Sequence, residues 1–259
     1  MRKARFVAVA VIAAFGIASI AYAATENTYT VNGTVTGKKG KKKKPVPIAL
    51  SFGYTVRSVE GDAVRPDVVQ KYAITFEGGR VNTSIIPGCS EAQVTAAKST
   101  SVCPKKSIVG RGSVEAVAGA SGIQSDQSIA CHLDLTILNG KGKNKATLYL
   151  HGATNNPNGP CAVPIDQGID AKYTQSKKGV TLSFTVPDPL LHQLNGALDV
   201  SVKDVKSKIN KIQVKKGKGK KARKVGYYES FGCKGKNVVV TFTKEDGTTA
   251  QASAPQKCT

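Results

Sequence analysis

The chain has 259 residues, 38 of them lysine or arginine and 17 aspartate or glutamate, giving a formal net charge of +21 at pH 7. Three histidines, none near another, and six cysteines without a C-x-x-C spacing argue against a zinc site. There is no tryptophan, so the usual flat platform for stacking on sugar rings is missing.

The head of the chain reads as an export signal. Arg2, Lys3 and Arg5 precede an apolar run from Phe6 to Ile20, and Ala21-Tyr22-Ala23 supplies a small-x-small cleavage site. The run is shorter than the roughly 20 residues a membrane-spanning helix needs, and no second apolar stretch follows. Residues 1–23 are therefore expected to be a signal peptide and residues 24–259 an exported domain without a transmembrane span, secreted or held at the extracellular cell envelope. All six cysteines lie in the exported part, where the compartment favours disulfides. Pairing of neighbours is preferred because each pair then brackets one local unit: Cys89–Cys103, Cys131–Cys161 and Cys233–Cys258.

In chain order, Thr28 to Thr36 alternates β-branched and small residues as a half-exposed strand does. Ile48 to Val56 follows as a second strand, with Gly53 expected at a bulge. Gln70 to Phe76 is a third, and Val81 to Ile86 is extended. Ser90 is placed to cap a helix over Glu91 to Lys98, tied by Cys89 and Cys103 to the head of the next strand. Val109 to Val117, Ile129 to Leu138 and Ala146 to Leu150 read as strands, the last two joined through Asn139-Gly140. Strands resume at Asp170 to Gln175 and Val180 to Val186, Pro187-Asp188-Pro189 breaks the pattern, and Leu190 to Asn195 suits one helical turn. Ala197 to Val214 is extended, with Val225 to Phe231 its expected partner, and Val238 to Thr243 and Thr248 to Ser253 form a last hairpin. Turn signals at sandwich spacing predict a mainly β fold, an antiparallel β-sandwich with one short disulfide-tied helix. One domain is expected, with a split near 187 as the alternative.

Between Pro87-Gly88-Cys89 and Cys103-Pro104-Lys105-Lys106-Ser107-Ile108-Val109-Gly110-Arg111-Gly112, the chain resembles a pattern in uncharacterised exported β-rich proteins of actinobacterial type. The Pro187 to Leu198 stretch and the Cys233…Glu245-Asp246-Gly247…Cys258 segment are similar to parts of the same group. The resemblance implies secretion and β structure and brings no activity, cofactor or catalytic residue.

Several constellations suggest chemistry and fall short of it. Ser230-Phe231-Gly232-Cys233 with His151-Gly152 approaches the nucleophilic cysteine of wall transpeptidases, but Phe231 stands where the histidine belongs. Asp166 and Asp170 lack the spacing of a calcium loop. Gly217-Lys218-Gly219-Lys220-Lys221 lacks the frame of a phosphate-binding loop. No cofactor is implied. His132, His151 and His192 have no sequence partner for acid–base work, although a hydrolase or transferase site assembled from them and a distant acid is the alternative function.

The charge is more informative. The signal holds three basic residues and no acid, so the exported part keeps +18. Sixteen basic residues fall on three acid-free, glycine-bearing segments, and the rest of the exported part is close to neutral. They are Lys38, Lys39, Lys41, Lys42, Lys43 and Lys44; Lys141, Lys143 and Lys145; and Lys215, Lys216, Lys218, Lys220, Lys221, Arg223 and Lys224. Such tips keep a β protein soluble and discourage edge pairing. They also suit attachment to an anionic cell-wall polymer or membrane surface, since lysine offers a mobile point charge. Almost wholly lysine and without interleaved aromatics, they support no specific nucleic-acid binding. The function expected is therefore a non-enzymatic envelope protein that binds anionic polymers or surfaces through these segments.

Overall fold

The computed structural model describes residues 27–37, 40, 44–217 and 222–259. The signal segment 1–23 lies outside the described residues. Strands dominate: β1 (Asn27–Thr36), β2 (Val46–Pro47), β3 (Ala49–Ser58), β4 (Val69–Glu77) and β5 (Gly79–Val81) precede a 3-10 turn and the helix α1 (Glu91–Ala97). Then come β6 (Ile108–Ala120), β7 (Ile129–Asn139), β8 (Lys145–Gly152), β9 (Ile165–Gln175) and β10 (Gly179–Thr185). A one-turn helix α2 (Asp188–Leu191) leads into β11 (His192–Gln193) and β12 (Leu198–Ile209). The chain closes with β13 (Gln213–Lys216), β14 (Arg223–Gly226), β15 (Tyr228–Ser230), β16 (Asn237–Lys244), β17 (Thr249–Pro255) and β18 (Lys257–Cys258).

The long strands form one sheet in the order β17-β16-β4-β10-β9-β8-β7-β6-β12-β3-β1-β18. Because β18 follows directly on β17 and pairs in parallel with β1 through Thr34–Lys257 and Val35–Cys258, the two edges meet. The result is a near-closed, barrel-like sheet and not the sandwich expected from the sequence. Alternation and turn spacing are the same in both architectures. What separates them is the pairing of the first strand with the last, which local sequence does not encode. Strands from before and after Pro187 share this sheet, β12 lying between β6 and β3 and β16 beside β4.

The alternation read from the sequence sets the two faces. On β3, Leu50, Phe52, Tyr54 and Val56 point inward and are buried, while Ser51, Thr55 and Arg57 point out. On β4, Tyr72, Ile74 and Phe76 point inward between Lys71, Thr75 and Glu77. The interior is aromatic on one side: Tyr29 stacks on Phe242 at 4.2 Å between centroids and Tyr72 on Phe184 at 5.0 Å. The facing wall of β6, β7 and β8 is aliphatic, with Val114, Ala116, Leu133, Leu135, Ile137 and Leu148. Gly53 sits in regular register between Asn32 and Lys206, not at a bulge; a side chain there would strike the Val205 carbonyl at 2.8 Å. Register shifts fall instead between Val202 and Asp204, between Ile108 and Gly110, and between Thr243 and Lys244.

Helix α1 forms where Ser90 announced it, the Ser90 N–H donating to Gln93 Oε1 at 3.1 Å. It packs on the outside of β8 and β9, burying Val94 with Leu138, Tyr149 and the Cys89–Cys103 disulfide in a small outer core. The other disulfides are Cys131–Cys161 and Cys233–Cys258, so neighbours pair throughout. Among the described residues no helix is long and apolar enough to cross a membrane.

Candidate functional site

The antiparallel order sorts the connections between long strands onto two ends of the barrel. Registers Thr36–Ala49, Ile209–Leu50, Asn139–Ala146 and Gly179–Glu77 lie at one end, and Asn27–Ser58, Leu198–Ala120 and Lys244–Val69 at the other. The first end sends out 37–48, 78–107, 140–144, 176–178, 210–236 and the closing segment 256–259. Their described residues carry 17 lysines and arginines and two acids, Glu91 and Glu229. The second sends out 59–68, 121–128, 153–164, 186–197 and 245–248, with seven acids and a single Lys or Arg, Arg65. The chain is polarised along the barrel axis.

All three lysine-rich segments belong to the first end. Of their residues, Lys44, Lys141, Lys143, Lys145, Lys215, Lys216, Arg223 and Lys224 are described, and each is exposed. Lys38, Lys39, Lys41, Lys42, Lys43, Lys218, Lys220 and Lys221 lie outside the described residues. Among the described ones only Lys145 makes an ion pair, reaching Asp170 at 3.5 Å. The ribbon of β13 and β14 carries Lys215 opposite Lys224 and Lys216 opposite Arg223, an arrangement of like charges that repels itself unless an anion lies between or beside the pairs.

This end is closed underneath by the small sheet β2-β15-β5, whose Tyr227, Tyr228 and Val81 are almost fully buried. Glu229, also buried, accepts from Arg80 Nε at 2.6 Å and from the Gly226 N–H at 2.9 Å. Burial holds the phenols of Tyr227 and Tyr228 well above the ordinary tyrosine range, so they stay neutral donors.

The histidines sit elsewhere, each against a carboxylate on a neighbouring strand. His132 Nδ1 lies 2.6 Å from Glu115 Oε1 on β6, and His151 Nδ1 lies 2.7 Å from Asp166 Oδ1 on β9. His192 lies between two: Nδ1 is 2.9 Å from Asp199 Oδ1 and Nε2 is 2.7 Å from Glu245 Oε1. The hydrogen bond from Glu245 raises the His192 pKa most, burial opposes it, and Asp199 raises it further. Asp188 Oδ1 is 3.9 Å from the same Nε2, so Asp188, His192 and Glu245 bring three possible ligand atoms within 4.8 Å of one another. These partners were invisible in the sequence because they arise from cross-strand register; the alternating pattern around His132 and His151 was the only available hint.

Other sequence candidates resolve simply. Cys233 is bonded to Cys258, so it presents no thiol for nucleophilic attack. Asp166 and Asp170 lie on the outer face of a regular strand; Asp166 accepts from the Tyr149 hydroxyl at 2.7 Å and Asp170 faces Lys145. No His lines the interior cavity of the barrel or the groove on its outer face beside α1. No family profile matches the chain, and comparison with curated proteins and with solved structures gave no match.

Proposed function

We propose that this is an exported, disulfide-tied β-barrel protein of the cell envelope that docks on an anionic polymer or surface through its lysine end. The supporting observation is the axial division of charge: 17 basic residues and two acids among the described residues of one end, against one Lys or Arg and seven acids at the other. Lysines on exposed connections can act while still hydrated and need no fixed geometry, which fits a polyphosphate, polyuronate or anionic headgroup layer. Multiple weak contacts then add, and their sum is sensitive to salt.

The test is retention of the oxidised protein on purified anionic wall polymer and on vesicles with and without anionic lipid, across ionic strength. Retention is expected to fall steeply between low and high salt, and to be lost when the lysines of 38–44 and 215–224 are exchanged for glutamine. Exchange of the acids Glu60, Asp62 and Asp246 for their amides should leave it unchanged. Retention that ignores salt, or that survives the lysine exchange, overturns the proposal.

A further inference from the structure

The interior of the barrel is not filled. Eight strands give a barrel just wide enough for side chains to meet, and this sheet runs through eleven long ones. Between the aromatic half (Phe52, Tyr72, Phe76) and the aliphatic wall (Ala116, Leu135, Leu148) lies a cavity of about 120 Å³. Its size approaches that of a cavity of roughly 150 Å³ lined by Leu, Ile and Phe that stays dry and takes up benzene. Ala116 contributes to the room: on the aliphatic wall it stands where a longer side chain would reach across.

Two tyrosines of this otherwise apolar lining have buried hydroxyls without a well-formed hydrogen bond. Tyr72 and Tyr228 both line the cavity and are 3% and 1% exposed, and neither hydroxyl has a protein partner of good hydrogen-bond geometry. Tyr54 lies close to the Tyr72 hydroxyl and Tyr173 close to that of Tyr228, near enough for each pair to affect the other's titration without a hydrogen bond of good geometry to either oxygen. A buried donor left unpaired is costly, so a wall that keeps two of them fits a ligand that accepts from one. The lining is less tightly sealed toward the acidic end. There the lining residues Val186 and Leu190, on either side of the break at Pro187, are only half-buried, while the lysine end is sealed by Tyr227, Tyr228 and Val81.

We infer that the barrel binds a small apolar molecule, ring-sized or a short branched alkyl group, carrying one hydrogen-bond acceptor such as a carbonyl. This is independent of docking: the lysine end faces the surface and the less tightly sealed side of the cavity lies away from it. The test uses the oxidised protein with two probes of the same shape, α-methylstyrene and acetophenone, followed by calorimetric titration and by the rise in melting temperature. Saturable one-to-one binding is expected for both, with acetophenone about fivefold tighter, as one net hydrogen bond gives. Tyr72→Phe and Tyr228→Phe separate the two donors: one of them should abolish the preference for acetophenone and leave α-methylstyrene binding unchanged. Ala116→Phe should abolish both by placing a ring in the cavity, and Leu135→Phe, a smaller intrusion, covers the case in which Ala116→Phe does not fold. Absence of saturable binding of either probe to folded wild type overturns the inference. So does undiminished binding in a folded cavity-filling variant, and equal affinity for the two probes overturns the role of the phenols.

Discussion

Arg65 and His192 hold opposite oxygens of one carboxylate. Arg65 Nη2 lies 3.3 Å from Asp199 Oδ2, and His192 Nδ1 lies 2.9 Å from Asp199 Oδ1. Arg65 is 2% exposed and also donates to the carbonyls of Asp126 and Ala120, so the guanidinium ties 59–68 to 121–128 and to the start of β12. Removing one partner of a buried pair strands the other charge. Arg65→Ala is expected to lower the free energy of unfolding by about 3 kcal/mol in a urea titration. A loss under about 1 kcal/mol would mean that Asp199 is adequately held by His192 and by the Ser121 and Gly122 donors alone.

The same carboxylate gives a pH dependence with a definite sign. The folded-state pKa of His192 lies above its ordinary 6.5, chiefly through Glu245, so the imidazolium contributes stability in full below pH 6.5 and loses it as pH rises through the folded value. Asp199 moves the other way. Burial would raise its pKa, but the bonds from His192, Gly122, Ser121 and Arg65 together hold it below 3.8, so its contribution is present above 3.8 and lost as pH falls through the folded value. The melting temperatures of wild type and His192→Gln should differ most between these limits and converge toward pH 9. A difference that widens on the alkaline side would contradict this assignment.

Much of this architecture was legible in the chain, and the limits are physical. The helix over 91–97 followed from Ser90 and Gln93, and the long strands from alternation, because these are interactions within a few residues. The disulfides followed from nearness along the sequence. The barrel did not: the pairing of Val35 with Cys258 joins residues at opposite ends of the chain. Nor did the short strand β5, nor the pairing of β15, which falls in the extended stretch 225–231 but joins β2 and β5 in the seal over one barrel mouth and not the 197–214 segment. The lysine segments were plain as composition, but their common end depends on which way each strand runs.

Closure of the barrel rests on a short segment. The Gly37 N–H donates to the Thr259 carbonyl at 2.9 Å and the Thr259 N–H to the Val35 carbonyl at 3.0 Å, and Cys258 is anchored to Cys233. In the chain-entropy picture that 25-residue link stabilises the fold by about 3.5 kcal/mol. The double variant Cys233→Ser, Cys258→Ser should lose an amount of this order. Its amide exchange should speed first at Gly37 and Thr259, with β7 and β8 unaffected; uniform loss of protection would show that closure and core unfold together.

Leu194 has φ of 51°, in a turn continued by Asn195 and Gly196 at 57° and 85°. Its side chain is 56% exposed, so little packing offsets the cost of a left-handed backbone at a γ-branched residue. Leu194→Asn is expected to stabilise the protein by about 0.5 kcal/mol or more, read as a higher melting temperature. A fall would mean that the leucine packs usefully against its neighbours.

Opposite charges at the two barrel ends make the molecule an electric dipole directed along its axis. Near a negatively charged layer such a body feels a torque as well as a pull, so orientation is settled on approach, within a screening length of about 8 Å at physiological salt. At low ionic strength the same asymmetry favours head-to-tail encounter between copies, acids against lysines, which sets a lower bound on the salt at which single molecules can be studied.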